Sequence, residues 1–386
     1  MGLRVFWIKR LTVSAGLEHS HFHHRLMPSH DYHYTSAAGE FDVHIRTNRR
    51  GLRGPDPAVP KPPGTARILM LGDSFTFGFP VRDEETFSAL IEQGLRAQDL
   101  PVEVVNGGVS GYSPTLHYLL LRDELIELEP DLVVLWYDFG DLQEDHQFQK
   151  NLIYDGAGRI VRCDPRYVNG RFDWGEWLRN RSALAKYVYV KGIRTFEKIS
   201  TLGVGNYVRA KLRGERAKVA IARMKSEQGS ADQGAYDRFL LFREYATEAS
   251  VAPFWELNAR YLRMIRDLLA ERDIPFMLGV YPYGMVVGPE QWGAGRGFWG
   301  FERGRTYDAG LGVSLFTRFS AQEGVPLINA IDHFKEAGRQ EPLFYDVDGH
   351  FTPAGHRVLA EHVLTDRQLL NLVRDVAPGA AAAAPR

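Results

Sequence analysis

A short apolar run followed by a longer segment with apolar residues at helical spacing recurs along this chain, and few folds accommodate that rhythm. Residues 66–71 (Ala-Arg-Ile-Leu-Met-Leu) read as a buried strand, and a helix follows from about Glu84 with Phe87, Leu90, Ile91 and Leu95 on one face. Residues 102–106 form a second strand. Ser113-Pro114 opens the next helix, with Ser as N-cap and Pro at the first helical position. Residues 132–137 make a third strand. After a long interruption the pattern resumes with a helix over 255–272, strands over 274–281 and 325–328, and a last helix opening at Thr352-Pro353. Repeated β-α units predict an α/β fold, a parallel sheet covered by helices on both faces. Such sheets place their sites at the carboxyl ends of their strands.

This rhythm divides the chain. Residues 1–63 read as an N-terminal extension and linker, with an alternating strand over 40–46 and five prolines and two glycines in 54–64. Residues 64–145 and 254–370 are the two parts of the core, 146–253 a mostly helical insertion, and 371–386 a disordered tail. The insertion holds a basic segment (Arg209, Lys211, Arg213, Arg216, Lys218, Arg223, Lys225), diluted by Glu215, Glu227 and Asp232 and so read as a solvated face. His19, His21, His23, His24, His30 and His33 cluster in the extension, but no cysteine or carboxylate joins them at ligand spacing, so no metal is expected.

Composition excludes several classes of function. The net charge is −1, which argues against a nucleic-acid partner over the whole surface. Cys163 is the single cysteine, so an internal disulfide framework is impossible. No stretch is long enough to span a bilayer, and membrane association is not indicated. Taken as it begins, with Lys9 and Arg10 breaking the first apolar run, the chain is expected to be cytoplasmic. A misassigned start would instead allow a periplasmic or envelope location.

Candidate chemistry sits at the strand ends. Ser74, in Gly72-Asp73-Ser74, directly follows the first strand, where a tight turn would present its hydroxyl to a base. The competing assignment is an N-cap serine. His350, in Asp348-Gly349-His350 ahead of the last helix, is the preferred base, and His356, inside the helix, its rival. Asp348 would hold the imidazole tautomer, with Asp346 as the alternative. The backbone N–H groups of Ser74 and Gly111 are candidate oxyanion donors.

These residues resemble the blocks of the SGNH/GDSL hydrolases. Gly72-Asp73-Ser74-Phe75 looks like block I, Val109-Ser110-Gly111 like block II, and Asp348-Gly349-His350 like block V. The Asp-x-His spacing is similar to a branch that includes alginate O-acetyltransferase-like proteins. Thr47 to Gly54 looks like the extension before block I in many bacterial members. The resemblance implies a three-layer α/β/α sandwich on a five-stranded parallel sheet of flavodoxin-like order, no metal or organic cofactor, and carboxylic esters as substrates. Block III departs: in Asp138-Phe139-Gly140-Asp141, Gly140 stands where the family carries an oxyanion-binding Asn, and Asp141 matches the Asp that follows. A backbone N–H or a side chain from the insertion replaces that donor, or turnover is low. Asp138 is a poor substitute, because an ionised carboxylate repels an oxyanion. Asp73, Asp138, Gly140 and Asp141 are therefore further candidate site residues.

The reading expected first is a serine esterase acting on small-molecule or glycan esters, with acetylated carbohydrate as substrate and Trp174, Trp177 and Tyr187 available for stacking on sugar rings. An O-acyltransferase modifying an exopolysaccharide would use the same triad. A non-catalytic binding module would retain only the fold.

Overall fold

The computed structural model describes residues 17–36, 38–168, 171–172 and 237–377. The chain begins with two antiparallel hairpins, β1 (Leu17–Ser20) with β2 (His23–Leu26) and β3 (Asp31–Thr35) with β4 (Asp42–Arg46). There follow β5 (Ala66–Gly72), α1 (Ser74–Phe77), α2 (Phe87–Arg96), β6 (Val102–Gly108), α3 (Pro114–Asp123), β7 (Leu132–Tyr137) and α4 (Glu144–Phe148). A small hairpin pairs β8 (Leu152–Tyr154) with β9 (Ile160–Cys163). A two-residue ladder pairs Tyr167–Val168 with Arg171–Phe172, and further along come α5 (Glu248–Ala270), β10 (Phe276–Val280), α6 (Gly284–Val287), α7 (Gly310–Glu323), β11 (Leu327–Asn329), α8 (Ile331–Ala337), α9 (Pro353–Thr365) and α10 (Arg367–Val376).

The central sheet has the order β11-β10-β7-β5-β6, with every pair parallel. This is the flavodoxin-like order, and β5, β7 and β10 have no exposed residue because both faces are covered. Adjacent residues of β7 show the two faces. The Trp136 ring packs against Phe87 of α2, whereas Tyr137 packs on Phe316 of α7 and donates from its hydroxyl to Asn258 Oδ1 of α5 at 2.7 Å. Side chains of successive strand residues point to opposite faces, so α2 lies on one side and α5 and α7 on the other. Helix α9 packs with α2, and α3 with α5, completing three layers.

Several boundaries differ from the sequence expectation for physical reasons. Strand β4 starts at Asp42, because Glu40 and Phe41 belong to a turn closed by Ser36 N–H donating to Phe41 O. Helix α5 starts at Glu248, where the Thr247 hydroxyl accepts from Ser250 N. Thr352 caps α9 through Gly355 N as expected, but the Ser113 hydroxyl donates to Asp145 Oδ1 at 2.5 Å instead of capping α3. The tail expected from 371 is still helical to Val376, because Leu369 and Val373 of α10 are buried. The described part of the 146–253 segment contains the β8–β9 hairpin. Its basic segment and Trp174, Trp177 and Tyr187 lie outside the described residues. Among the described residues, no helix is long and apolar enough to cross a membrane.

The extension is bound to the core. Arg53, buried, donates to the carbonyls of Phe77 (3.0 Å), Gly78 (2.6 Å) and Val81 and pairs with Asp83 at 2.7 Å, so it gathers the turn that follows α1. On the other side of α1, β6 approaches so closely that a Cβ on Gly108 would lie 2.2 Å from Phe77 N and 2.6 Å from Thr76 C. Those atoms are backbone and cannot rotate away. Gly108→Ala should therefore destabilise the fold by about 1–3 kcal/mol through overpacking. Urea unfolding of the variant checks this, and an unchanged midpoint would show that α1 has room to move.

Candidate active site

In a sheet of this order, β6 is added on one side of β5 and β7 on the other, which leaves a crevice at the carboxyl ends of β5 and β7. Ser74 follows β5 and Asp138 follows β7, so both stand at this crevice. The N-cap of α1 is Asp73, whose Oδ1 accepts from Phe75 N at 2.9 Å. The N-cap assignment considered for Ser74 therefore falls to its neighbour. The Ser74 hydroxyl instead faces His350, with Oγ 2.8 Å from Nε2.

His350 enters from the loop before α9. Tyr345 N–H donates to His350 O at 2.9 Å, Gly349 N–H donates to Tyr345 O at 3.1 Å, and Phe344 bridges to Phe351. The second ring nitrogen, Nδ1, lies 2.6 Å from Asp348 Oδ1. A proton on Nδ1 shared with the carboxylate leaves Nε2 to accept from the serine. Burial works to raise the Asp348 pKa, but the hydrogen bond and charge of His350 outweigh it and hold the acid below its ordinary value. The rings of Phe75 and Phe79 pack against the imidazole. Glu40 braces the acid loop, its carboxylate accepting from Val347 N (2.8 Å) and Asp348 N (3.2 Å). Ser74, His350 and Asp348 thus form one continuous relay.

The two rivals point elsewhere. Asp346 Oδ1 accepts from Ala294 N. His356 is fully buried and its Nδ1 accepts from Phe87 N at 3.2 Å, so it ties α9 to α2. Gly111 follows β6 with a left-handed φ of 74°, and a Cβ built on it would lie 3.9 Å from His24 Nε2.

Beneath the nucleophile is a buried layer of acids. Asp73 Oδ1 also accepts from Tyr281 Oη at 3.0 Å. Asp138 Oδ1 accepts from Gly140 N at 2.7 Å and Oδ2 from Tyr283 Oη at 2.6 Å. Asp141 is buried beside them. Burial first, and then the charge of Asp138, push the carboxyls of Asp73 and Asp141 well above the usual range. Carboxylate oxygens of the three acids lie within 4.8 Å of one another, a spacing that a cation could use. Arg238 supplies positive charge there instead: Nη2 is 3.4 Å from Asp138 Oδ2 and 4.0 Å from Asp73 Oδ2. Arg238, Tyr281, Tyr283 and Glu40 escape a reading by motif. For Arg238 a signal did exist, because an extra acid at 138 beside a missing side chain at 140 calls for an incoming cation.

No family model matches the chain, and no curated protein matches it. Solved structures to which it is similar include a G-D-S-L family protein from Desulfitobacterium hafniense (12% identity, 78% of this chain and 98% of that one, TM-score 0.36). Others are the acetyl xylan esterase AlAXEase (11%, 77% and 96%, TM-score 0.37) and a catalytic mutant of the acetylxylan esterase Axe2 from Geobacillus stearothermophilus (14%, 80% and 94%, TM-score 0.38). Likeness at this level carries no weight for the chemistry, which rests on the distances above.

Burial lowers the pKa of His356 to about 3 from 6.5, so as pH falls the unfolded chain takes up this proton first. The buried imidazole has no pH-dependent cost above 6.5 and lowers stability below it, by up to about 1.4 kcal/mol per pH unit. His356→Asn retains an acceptor for Phe87 N–H and should flatten the loss of stability between about pH 6 and 4. Guanidinium unfolding at several pH values tests this; parallel curves for the two proteins would refute it.

Proposed function

We propose that the chain is a serine esterase of the SGNH type, cleaving carboxylic esters, acetyl groups on carbohydrate foremost, through an acyl-enzyme. The single observation that carries this reading is the relay from Ser74 Oγ through His350 to Asp348, with contacts of 2.8 and 2.6 Å. An unassisted serine is a poor nucleophile, and an imidazole positioned at its hydroxyl activates it.

The steps follow from the atoms. Ser74 Oγ bonds to the ester carbonyl carbon while its proton passes to His350 Nε2, and the carbonyl π pair moves onto oxygen. Asp348 stabilises the imidazolium that forms. Collapse of the tetrahedral intermediate breaks the bond to the alcohol oxygen, which takes the proton back from His350. Water then repeats the sequence on the acyl-enzyme and releases the acid. In this reading the Ser74 and Gly111 N–H groups receive the oxyanion. Trp299, 46% exposed on the turn beside Phe239, offers a flat apolar face for a sugar ring.

The purified chain should hydrolyse p-nitrophenyl acetate, and Ser74→Ala should abolish that turnover. Asp348→Asn should lower kcat by about 10⁴-fold, because it favours the wrong tautomer. A fluorophosphonate should label Ser74 in the wild type. Turnover that survives Ser74→Ala would sink the proposal, and a chain that neither turns over nor takes the label would be a binding module. Including an acceptor glycan in the assay separates hydrolysis from acyl transfer.

A further inference from the structure

We infer that Arg238 is the third oxyanion donor, its guanidinium reaching from the segment before α5 into the space left by the missing side chain at Gly140; this inference rests on the esterase reading. A Cβ built on Gly140 would lie 2.7 Å from Arg238 Nε and 2.9 Å from Tyr283 Oη. The guanidinium therefore stands where a side chain from residue 140 would begin. Glycine at 140 and arginine at 238 are two halves of one exchange.

Position and bonding both suit the role. Nη2 lies 4.0 Å from Asp73 Oδ2, and that oxygen is 3.3 Å from Ser74 Oγ, so the cation is two contacts from the nucleophile. Its hold on the acids is loose. Both Asp138 oxygens already accept short bonds from Gly140 N and Tyr283 Oη, and Nη2 approaches Asp138 only to 3.4 Å. A fully engaged guanidinium–carboxylate bond is about 2.7–2.9 Å. Nε is buried with no hydrogen-bond partner and 3.7 Å from Glu144, so the side chain has N–H capacity to spare. The side chain is also 27% exposed.

The electrostatics explain how an acid layer can sit beneath an oxyanion site. With Asp73 and Asp141 pushed toward their neutral forms, the positive charge is not cancelled threefold. A guanidinium offers several N–H groups in one plane, a stronger charge-assisted donor than the amide it replaces.

Three proteins test this, wild type, Arg238→Gln and the double variant Arg238→Ala with Gly140→Asn, each checked for folding by thermal melting. Removing one oxyanion donor should lower kcat on p-nitrophenyl acetate by about 10²–10³-fold with little change in KM. Affinity for an alkylboronic acid, which forms a tetrahedral anion on Ser74, should fall by a similar factor, while affinity for product acetate should hold. The double variant, in which the guanidinium no longer blocks the amide and Tyr283 Oη needs only a small shift, should recover at least about tenfold. A folded Arg238→Gln that keeps kcat within about threefold of wild type overturns the inference. Should that variant not fold, the wild-type phosphonyl adduct of Ser74 decides: its oxygen within about 3 Å of an Arg238 nitrogen supports the role, and an oxygen that no Arg238 nitrogen approaches to that distance overturns it. A wild type that neither turns over nor takes the phosphonate overturns the esterase reading itself, a result distinct from a labelled Ser74 with Arg238 idle.

Discussion

Strand β5 lies between β6 and β7, and the geometry of the site follows from that placement. The chain leaves β5 toward one edge of the sheet and returns on the other side, so α1 and the segment after β7 open away from each other at their carboxyl ends. Ser74 and Asp138 stand on the two lips of this crevice. The close approach of Gly108 and the hydrogen bonds of Arg53 hold α1 from two sides. The nucleophile thus sits on a rigid element, and geometry within a fraction of an ångström is what a positioned hydroxyl requires.

Burial of charge is the second constraint. Asp73, Asp138 and Asp141 occupy a volume where ionised carboxylates are costly to desolvate, and they are tolerated because each of Asp73 and Asp138 accepts tyrosine and backbone donors while Arg238 lies alongside. Different surroundings account for opposite behaviour in acids only a few residues from the nucleophile and base. Asp348 meets an imidazole and is held low, whereas burial first, and then the charge of Asp138, drive Asp73 up.

Distant parts of the chain are joined at this edge. Glu40 in the N-terminal extension accepts from the backbone of the acid loop, and Phe41 packs on Tyr345 and Phe79, which also touches the His350 ring. What reads in sequence as a peripheral arm is therefore a wall of the base's surroundings.

The sequence by itself determined the layers and the elements that carry the relay. Strand periodicity at 66–71 and 132–137, a Thr-Pro helix start at 352–353, and Ser74 and His350 at their ends are local signals, since hydrophobic period and capping chemistry act over a few residues. The positions of Asp348 and of the flavodoxin-like order were legible through the motif blocks. Only the tertiary structure decided which acid meets the imidazole, that Asp73 and not Ser74 caps α1, and that Ser113 is spent on Asp145. It also decided that Arg238 fills the space above Gly140. These outcomes depend on side chains from about 30 to about 100 residues apart, or on competition between neighbours for one backbone donor or one imidazole. No periodicity records either, because the sheet order that brings such groups together is a property of the whole chain.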